Sequence, residues 1–576
     1  GGAGRRRCTG RPGRRPRGRR ADAPAERPGR GRLLPDSRTR RLERRLGVPW
    51  ADGPAGRCAA GTRRLPPTGI EALLAEEGIA GEFVPAEHGG RLVRADLLAR
   101  VLRPVFRHDA ALGRDLTSLL AAGAVWAAGD PWQRHDVARL LLTGGRIAVV
   151  HRGPVRAGAP PHGEITARRV PGGYRLDGRA PATGGALPAG LHLVHARTGA
   201  PDGPGGHSVL LVDPAGRNAG TIRRLPGARG DALEFRDRFV PRGALVGREG
   251  DGVVLALRAL QVEHAVLCAG LTAAGDTALH HAVRTATDGS PGRIAPRRHR
   301  PLAGVFADLL ACRAVTTAAL RALSLLPSAA HLLAAAVRYV VPGLLRPGLE
   351  ELVTVLGAHA HGADGPGHGA PGGLMRALSA AESGHAGAAA CRSVLVAHLR
   401  ALAERSWFTE PEPPPALFAP GAGLPPLDHT ALAVAGGGDF MAACLVGCAR
   451  RLAAPGAAGG RTAVLAELLV AELRALATRC RRLPAAAPAP AALVLADRYG
   501  LLVCAAAVLR AREAQDGAGP FPADPAWAEL ALSRIGERLG LPVPGPPDDV
   551  RERLVEELLH RHRDGGGLPD AAATAP

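Results

Sequence analysis

The chain has 576 residues, room for about three or four structural units at roughly 150 residues each. All 74 of its basic residues are Arg, set against 52 acids for a net charge of +22; 46% of residues are hydrophobic and only 3% aromatic. Those figures exclude wholesale disorder and argue against a base-stacking nucleic-acid surface.

The first 50 residues hold 17 Arg against Asp22, Glu26, Asp36 and Glu43, so the charge is concentrated at one end and no uniform basic groove is indicated. Residues 1–40, rich in Gly, Pro and Arg, are expected as a disordered tail, the alternative being an electrostatic arm for nucleic acid or acidic lipid. From 41 to 145 the apolar spacing is helical, as in ADLLARVLRPVF and VARLLLTGG. From 146 to 246 the period shortens to two, in IAVV, EITARRV, GYRLDG, LHLVHA, HSVLLVD, GTIRRL and LEFRDRFV, separated by Gly, Pro and Asp turns. Helical periodicity returns over 247–405. The Pro-rich stretch at 406–424 reads as a linker, 425–563 as an additional helical unit, and 564–576 as a second disordered tail. Helices, strands, then helices again is the signature of an α+β chain.

No run of 18 uncharged apolar residues occurs; the nearest, AAHLLAAAVRYVVPGLL, is broken by Arg338 and Pro342, so no membrane span is expected. The basic N-terminal stretch has no apolar signal core and the nine Cys are scattered, which points to reduced thiols and a cytoplasmic protein. Cys444 and Cys448 share a helical face without a second ligand pair, and His359, His361 and His368 in a Gly-rich loop lack supporting carboxylates, so no metal site is expected. Arg229-Gly230-Asp231 reads as a chance turn.

Several passages, in order, resemble the acyl-CoA dehydrogenase family: GIAGEFVPAEHGGRLVRADLLARVLRPVFRHDAAL, AAGDPWQRHDVARLLLTGGRIAVV, GREGDGVVLALRAL, FADLLACRAVTTAALRAL and VLGAHAHG. The resemblance covers residues 41–405. It implies an N-terminal helical domain (41–145), a middle β-barrel-like domain (146–246) and a C-terminal four-helix bundle (247–405), with FAD and an acyl thioester between them. The unit at 425–563 resembles the C-terminal extension of longer members.

The family's cofactor words are altered here. Its "A-L-T-E-P-G" reads Ala148-Val149-Val150-His151-Arg152-Gly153, placing Val150 where a Thr faces the flavin. The resemblance leaves Thr183, Arg284 and Gly357 as cofactor contacts. Each lost contact removes a hydrogen bond of about 0.5–1.5 kcal/mol. The catalytic base of most members aligns with His385, a weaker base than a desolvated carboxylate; Glu382 lies three residues before it. A minority of the family carries the base on another helix, in a word that resembles Val262-Glu263-His264-Ala265-Val266-Leu267-Cys268-Ala269-Gly270. Glu263 falls on that base within an almost wholly apolar stretch, where a carboxylate is costly unless paired or functional. An ion pair with Arg258 or His264 is the alternative role.

The implied activity is FAD-dependent α,β-dehydrogenation of an acyl-CoA or carrier-bound acyl thioester, with electron-transfer flavoprotein or oxygen as acceptor. A catalytically inactive scaffold of the same fold, and an Arg-tail nucleic-acid binder, are the competing functions. Helices over 305–345 are apolar on more than one face, so a homodimer or homotetramer is expected.

Overall fold

The structure is a computed structural model that describes residues 1, 35–50, 67–151, 163–183, 190–199, 205–216, 219–225, 232–287, 293–357, 369–383, 387–419, 421–436, 438–455, 459–484, 490–515 and 520–568. Six helices open the chain: α1 (Pro35–Leu46), α2 (Pro67–Glu76), α3 (Ala95–His108), α4 (Ala110–Thr117), α5 (Gly123–Ala128) and α6 (Pro131–Leu142). Eight strands follow: β1 (Ile147–Val150), β2 (Ile165–Val170), β3 (Gly173–Thr183), β4 (Leu191–Arg197), β5 (His207–Val212), β6 (Thr221–Leu225), β7 (Ala232–Pro241) and β8 (Leu245–Val246). The bundle comprises α7 (Gly252–Thr287), α8 (His299–Leu325), α9 (Ala330–Leu356), α10 (Gly369–Ser383) and α11 (Ala388–Arg405). Six further helices complete the chain: α12 (Phe440–Leu452), α13 (Gly460–Arg481), α14 (Pro490–Glu513), α15 (Pro520–Ala523), α16 (Pro525–Arg538) and α17 (Asp548–Arg563).

All seven strands expected from the period-two words are present, and the two-residue β8 is added after them. They form one sheet in the order β6-β7-β3-β1-β4-β5-β8. Strands β1 and β2 fill successive parts of the space between β3 and β4: Val149 pairs with Thr183 near one end of β3, and Ile165 with Gly178 further along. The sheet has its own apolar core around Val150, Leu176, Val194, Leu210 and Phe235.

The joints between layers are local chemistry. Asp130 and Gln133 form a reciprocal capping box at the start of α6, satisfying two backbone donors that a helix end otherwise leaves orphaned. The Gln133 Nε2 then donates to the carbonyls of Gly243 and Leu245, both at 2.9 Å, tying the N-terminal helices to the last strand. At the other joint, Gly252 brings the first turn of α7 against β5; a Cβ there would sit 2.7 Å from the His207 carbonyl oxygen. Only a residue without a side chain permits that approach.

Helix α7 runs 36 residues, roughly 54 Å at 1.5 Å per residue, and is buried on almost every side, as expected of a helix apolar all round. Its buried aspartate is matched. Asp276 accepts from Arg107 Nη2 and from the Leu568 amide, each at 3.0 Å. One turn on, His280 stacks between Trp50 and His562, with centroids 4.2 and 5.4 Å away. Residues 564–568, expected in a disordered tail, are therefore docked at the middle of the bundle, and α1 begins inside the stretch expected as the N-terminal one.

The C-terminal helices pack onto α8, α9 and α11 and share one continuous core with the bundle. Asp308 on α8 is the bolt. Arg534 donates to its two oxygens at 3.0 and 2.8 Å and Arg538 at 2.9 and 2.6 Å. Burial alone would raise that carboxyl, but the two guanidiniums hold it below the usual range. The segment expected as a linker is also bound: Arg321, buried on α8, donates to the carbonyls of Ala416, Leu417 and Ala419. The apolar faces of 305–345, expected to call for a second copy, are covered by α14, α16 and α17 of the same chain.

The expectation that no segment qualifies as a membrane span does not hold on length and composition. Four helical segments, α7, Pro296–Leu325, α9 and α14, meet both criteria, and 56–89% of each apolar window is buried inside the protein. The strict uncharged-run criterion missed them because single ionic residues such as Asp308 and Arg338 interrupt otherwise apolar helices.

Breaking the Asp308 clamp leaves buried guanidiniums without their full complement. We expect Asp308→Asn to cost about 3–5 kcal/mol, measured as a lower midpoint in urea. Because the Asp308 pKa is depressed in the folded state, its stabilisation is present above the unfolded pKa and lost as pH falls through the folded one. The gap between parent and variant should therefore close in acid.

Candidate active site

A cavity of about 430 Å³ opens between the sheet and the bundle. Val149, His151, Leu193, His195 and His207 line it from the sheet, Arg114, Asp115 and Ser118 from the N-terminal helices, and Ala380, Ala381 and Gly387 from the α10–α11 side. Helix α7 forms its long wall from Gly252 to Leu267, carrying Glu263, and α9 contributes Arg338.

Strand alternation decides which β1 side chains reach it. Val149 and His151 line the cavity, whereas Val150, assigned by resemblance to the position facing the flavin, lies fully buried in the sheet core. Thr183 is the backbone partner of Val149 and so stands beside the cavity wall. At the sheet side, Glu164 orients His207 at 3.1 Å and is itself bound by Arg197 at 2.8 Å.

Among the described residues, the Glu263 carboxyl forms no hydrogen bond or ion pair. Its two expected partners are engaged elsewhere: Arg258 Nε donates to the Leu432 carbonyl at 2.9 Å, and the His264 ring lies 3.7 Å from Cys391 Sγ. Burial pushes the Glu263 carboxyl above the usual carboxylate range, opposed in part by the charges of Arg338 and Arg114. Neighbouring thiols feel the same apolar surroundings; burial pushes Cys391 up to about 12. The described cysteines are free and buried, and at such pKa values they are thiols and poor nucleophiles.

The other sequence candidates are dispersed. Arg284 lies 21 residues beyond Glu263 on α7, roughly 30 Å along the axis, and does not reach this cavity. Gly357 ends α9 with φ 56° at an exposed position, also away from it. His385 lies outside the described residues, as do His359, His361, His368 and the 229–231 tripeptide. Glu382 is held by Arg346 at 3.0 and 2.6 Å, which removes it as an accessory base. Among the described residues no group of three or more His, Cys, Asp or Glu side chains is arranged to hold a metal ion.

Arg338, Arg114, Asp115 and His207 were missed from the sequence. Asp115 is pushed upward by burial and accepts from Arg114 at 3.0 Å. Arg338 is 5% exposed and sits mid-helix in an apolar run; its Nη2 donates to the Ala381 carbonyl at 2.5 Å. The only sequence signal for it was the cost of an Arg in that run.

A helical layer, a central sheet and a helical bundle around one cavity define the fold of the acyl-CoA dehydrogenases. The acyl-CoA dehydrogenase complexed with FAD from Bacillus anthracis superposes with a TM-score of 0.57 at 16% identity, over 86% of this chain and 87% of that one. No family model matches the sequence. Curated relatives do: the mitochondrial 2-methylacyl-CoA dehydrogenase of Solanum tuberosum is 26% identical over 206 residues, 34% of this chain and 50% of that protein. The 3-sulfinopropanoyl-CoA desulfinase of Paraburkholderia xenovorans is 30% identical over 240 residues, 38% of this chain and 61% of that protein. The chain thus spans about half the length of the curated relatives it matches. Its fold is that of the acyl-CoA dehydrogenases, and in sequence it resembles them over about a third of its length.

A carboxyl whose pKa is raised on folding destabilises the native state at pH values above that pKa, and the penalty vanishes below the unfolded pKa. We therefore expect Glu263→Gln to raise the melting temperature at neutral pH, with the gain shrinking toward acid. An unchanged or lower melting temperature at pH 7 would show that Glu263 is held by a stabilising contact.

Proposed function

We propose that this chain is an FAD-dependent dehydrogenase of acyl thioesters, borne on CoA or on a carrier, with Glu263 as the base. One observation carries the proposal: an unpaired carboxylate on an apolar helix faces a cavity between the sheet and the bundle. In such a place a carboxylate is a stronger base than it is in water.

The residues present fit the cofactor the family implies. The cavity is largely apolar, as a flat ring requires, and three histidines stand on its sheet side while the N-terminus of α7 at Gly252 forms part of its wall. Positive helix ends and hydrogen-bond donors favour a group that gains negative charge. Val149, His151 and Leu193 would hold the ring side, with the backbone of Thr183 behind Val149. FAD, when bound, supplies the acceptor for the hydride that leaves the β carbon of the thioester.

The chain's own work is positioning and proton transfer. Leu257, Leu260 and Leu267 on α7 give the acyl group an apolar wall. Glu263, ionised, removes the proton α to the thioester carbonyl and holds it on its carboxyl. The charges of Arg338 and Arg114 oppose the rise of its pKa and so favour the ionised form. Electron-transfer flavoprotein or oxygen is the proposed final acceptor, a homodimer or homotetramer the proposed assembly, and the cytoplasm the proposed location. A catalytically inactive scaffold is the second reading, favoured by the distance of Arg284 and Gly357 from the cavity.

Reconstitution with excess FAD followed by gel filtration should leave flavin bound. Glu263→Gln should slow anaerobic bleaching of that flavin by an acyl-CoA by about 10²–10⁴-fold, the usual worth of a general base, without releasing it. His385→Ala should cost much less. The parent rate should rise with pH as Glu263 ionises. A parent that binds flavin but is bleached by no acyl-CoA would favour the scaffold.

A further inference from the structure

A second cavity, of about 270 Å³, lies between α3 and α8 with α7 behind it. It shares no lining residue with the candidate active site. Thr272 on its wall comes nine residues after Glu263, two and a half turns at about 3.6 residues per turn, so the two side chains leave opposite faces of α7. The backbone at 421–423 and Leu568 complete the lining.

That lining is strongly cationic. Arg94, Arg100, Arg103 and Arg107 enter from α3 and its N-cap, Arg313 and Arg321 from α8, against the two acids Asp96 and Asp276. Arg107 and Arg321 are buried and the other four half-buried, so this is not a solvated surface run. The acids are already shared. Asp96 accepts from Arg94 at 2.9 and 2.7 Å and lies 3.6 Å from Arg321. Asp276 accepts from Arg107 and from the Leu568 amide. One oxygen of Glu43 on α1 accepts from both Arg103 and Arg107, at 3.2 and 3.3 Å. With Glu43 counted, three carboxylates stand against six guanidiniums among the described residues.

Like charges held close in a partly desolvated place repel strongly. Burial lowers the Arg321 pKa; Asp96 opposes that, and the charges of Arg94 and Arg100 add to it. Existing contacts fix the donors in advance: Arg94 is forked onto Asp96, and Arg321 is tied to the carbonyls of Ala416, Leu417 and Ala419. Such preorganisation lowers the cost of binding. The Thr317 hydroxyl on the same wall forms no hydrogen bond among the described residues. No aromatic side chain lines the cavity, so nothing there stacks on a nucleobase or a flavin ring. Cations on two facing helices suit a compact ion whose oxygens point in several directions, and their excess calls for more than one negative charge. Phosphate groups meet both conditions, and guanidinium forks bind them through paired hydrogen bonds.

We propose that the cavity between α3 and α8 is a binding site for a small, multiply charged phosphate ligand, a diphosphate or a phosphate ester, separate from the thioester site. The proposal does not depend on the chemistry assigned to Glu263.

The test is calorimetric titration of the full chain with inorganic pyrophosphate and with glycerol 3-phosphate at fixed ionic strength. The parent is compared with R100Q, R313Q and R313K, and with R450Q, which makes the same charge change at an exposed position on α12. The parent should bind at least one probe, and the tighter one assigns the ligand as diphosphate or ester. R100Q and R313Q should each weaken that binding by about 10–100-fold, the worth of a charged hydrogen bond. R313K should keep part of it, and R450Q should bind as the parent does. A parent that binds neither probe overturns the inference. So does binding that survives R100Q and R313Q, or that R450Q weakens equally, since the first places the ion elsewhere and the second reports only net charge. If the glutamine variants do not fold, R313K against R450Q decides.

Discussion

Desolvation of charge sorts the acidic residues of the bundle into two kinds. Asp308 and Asp276 are buried, and each has partners that hold its carboxyl below the usual range, Arg538 and Arg534 at the first and His280 with Arg107 at the second. Glu263 lies in equally apolar surroundings without such a partner, and its carboxyl rises. The same low dielectric thus produces opposite shifts, and the presence or absence of a matched donor decides which. Matched acids fasten helices together. The unmatched one is left on the wall of a cavity, the arrangement that the proposed general base requires.

The fastening explains how so apolar a chain hides its surface. Helices α8 and α9 present more apolar surface than a bundle with one polar face can conceal, and α14, α16 and α17 cover it. Paired charges set the register of that covering: Arg534 and Arg538 converge on Asp308, and Arg392 with Tyr339 on Asp497. Such contacts define which helix meets which more than they add net stability, because each charge gives up its hydration on burial. Hydropathy that would suit a membrane, or a second copy of the chain, is here satisfied within the fold.

Much of the architecture was legible because it is written in local periodicity. The seven longer strands appear where the apolar alternation placed them, and α3, α6, α7 and α13 where the helical spacing did. What was not legible depends on residues far apart in sequence. The 406–424 stretch has a linker's composition, yet Arg321, about 95 residues earlier, holds its carbonyls. Leu568 looks like part of a tail until Asp276 is seen accepting from its amide. At the site, Glu263 stood out as the one acid in an apolar helix, whereas Arg338 appeared only as an interruption. Its bond to Ala381 and its place on the cavity wall join residues far apart in sequence, which periodicity does not reveal. Val150 shows a simpler limit: aligning a word does not fix which face of a strand each letter occupies, and here Val149 lines the cavity while Val150 lies in the sheet core.

The altered cofactor words take on a different weight in this geometry. A lost side-chain hydrogen bond is worth about 0.5–1.5 kcal/mol, and several together would weaken a cofactor's hold by orders of magnitude if nothing replaced them. The replacement of the polar Thr by Val150 is less severe than the word suggests, because Val150 lies in the sheet core and not on the cavity wall. His151 lies there as well, in a position where an imidazole can donate or accept. His207, set by Glu164, adds a second oriented ring beside the start of α7. Polar groups are therefore present on the sheet side of the cavity, as imidazoles. Glu263 and Arg338 occupy the helical side, so a ligand entering between the layers meets hydrogen-bonding groups on one wall and formal charge on the other.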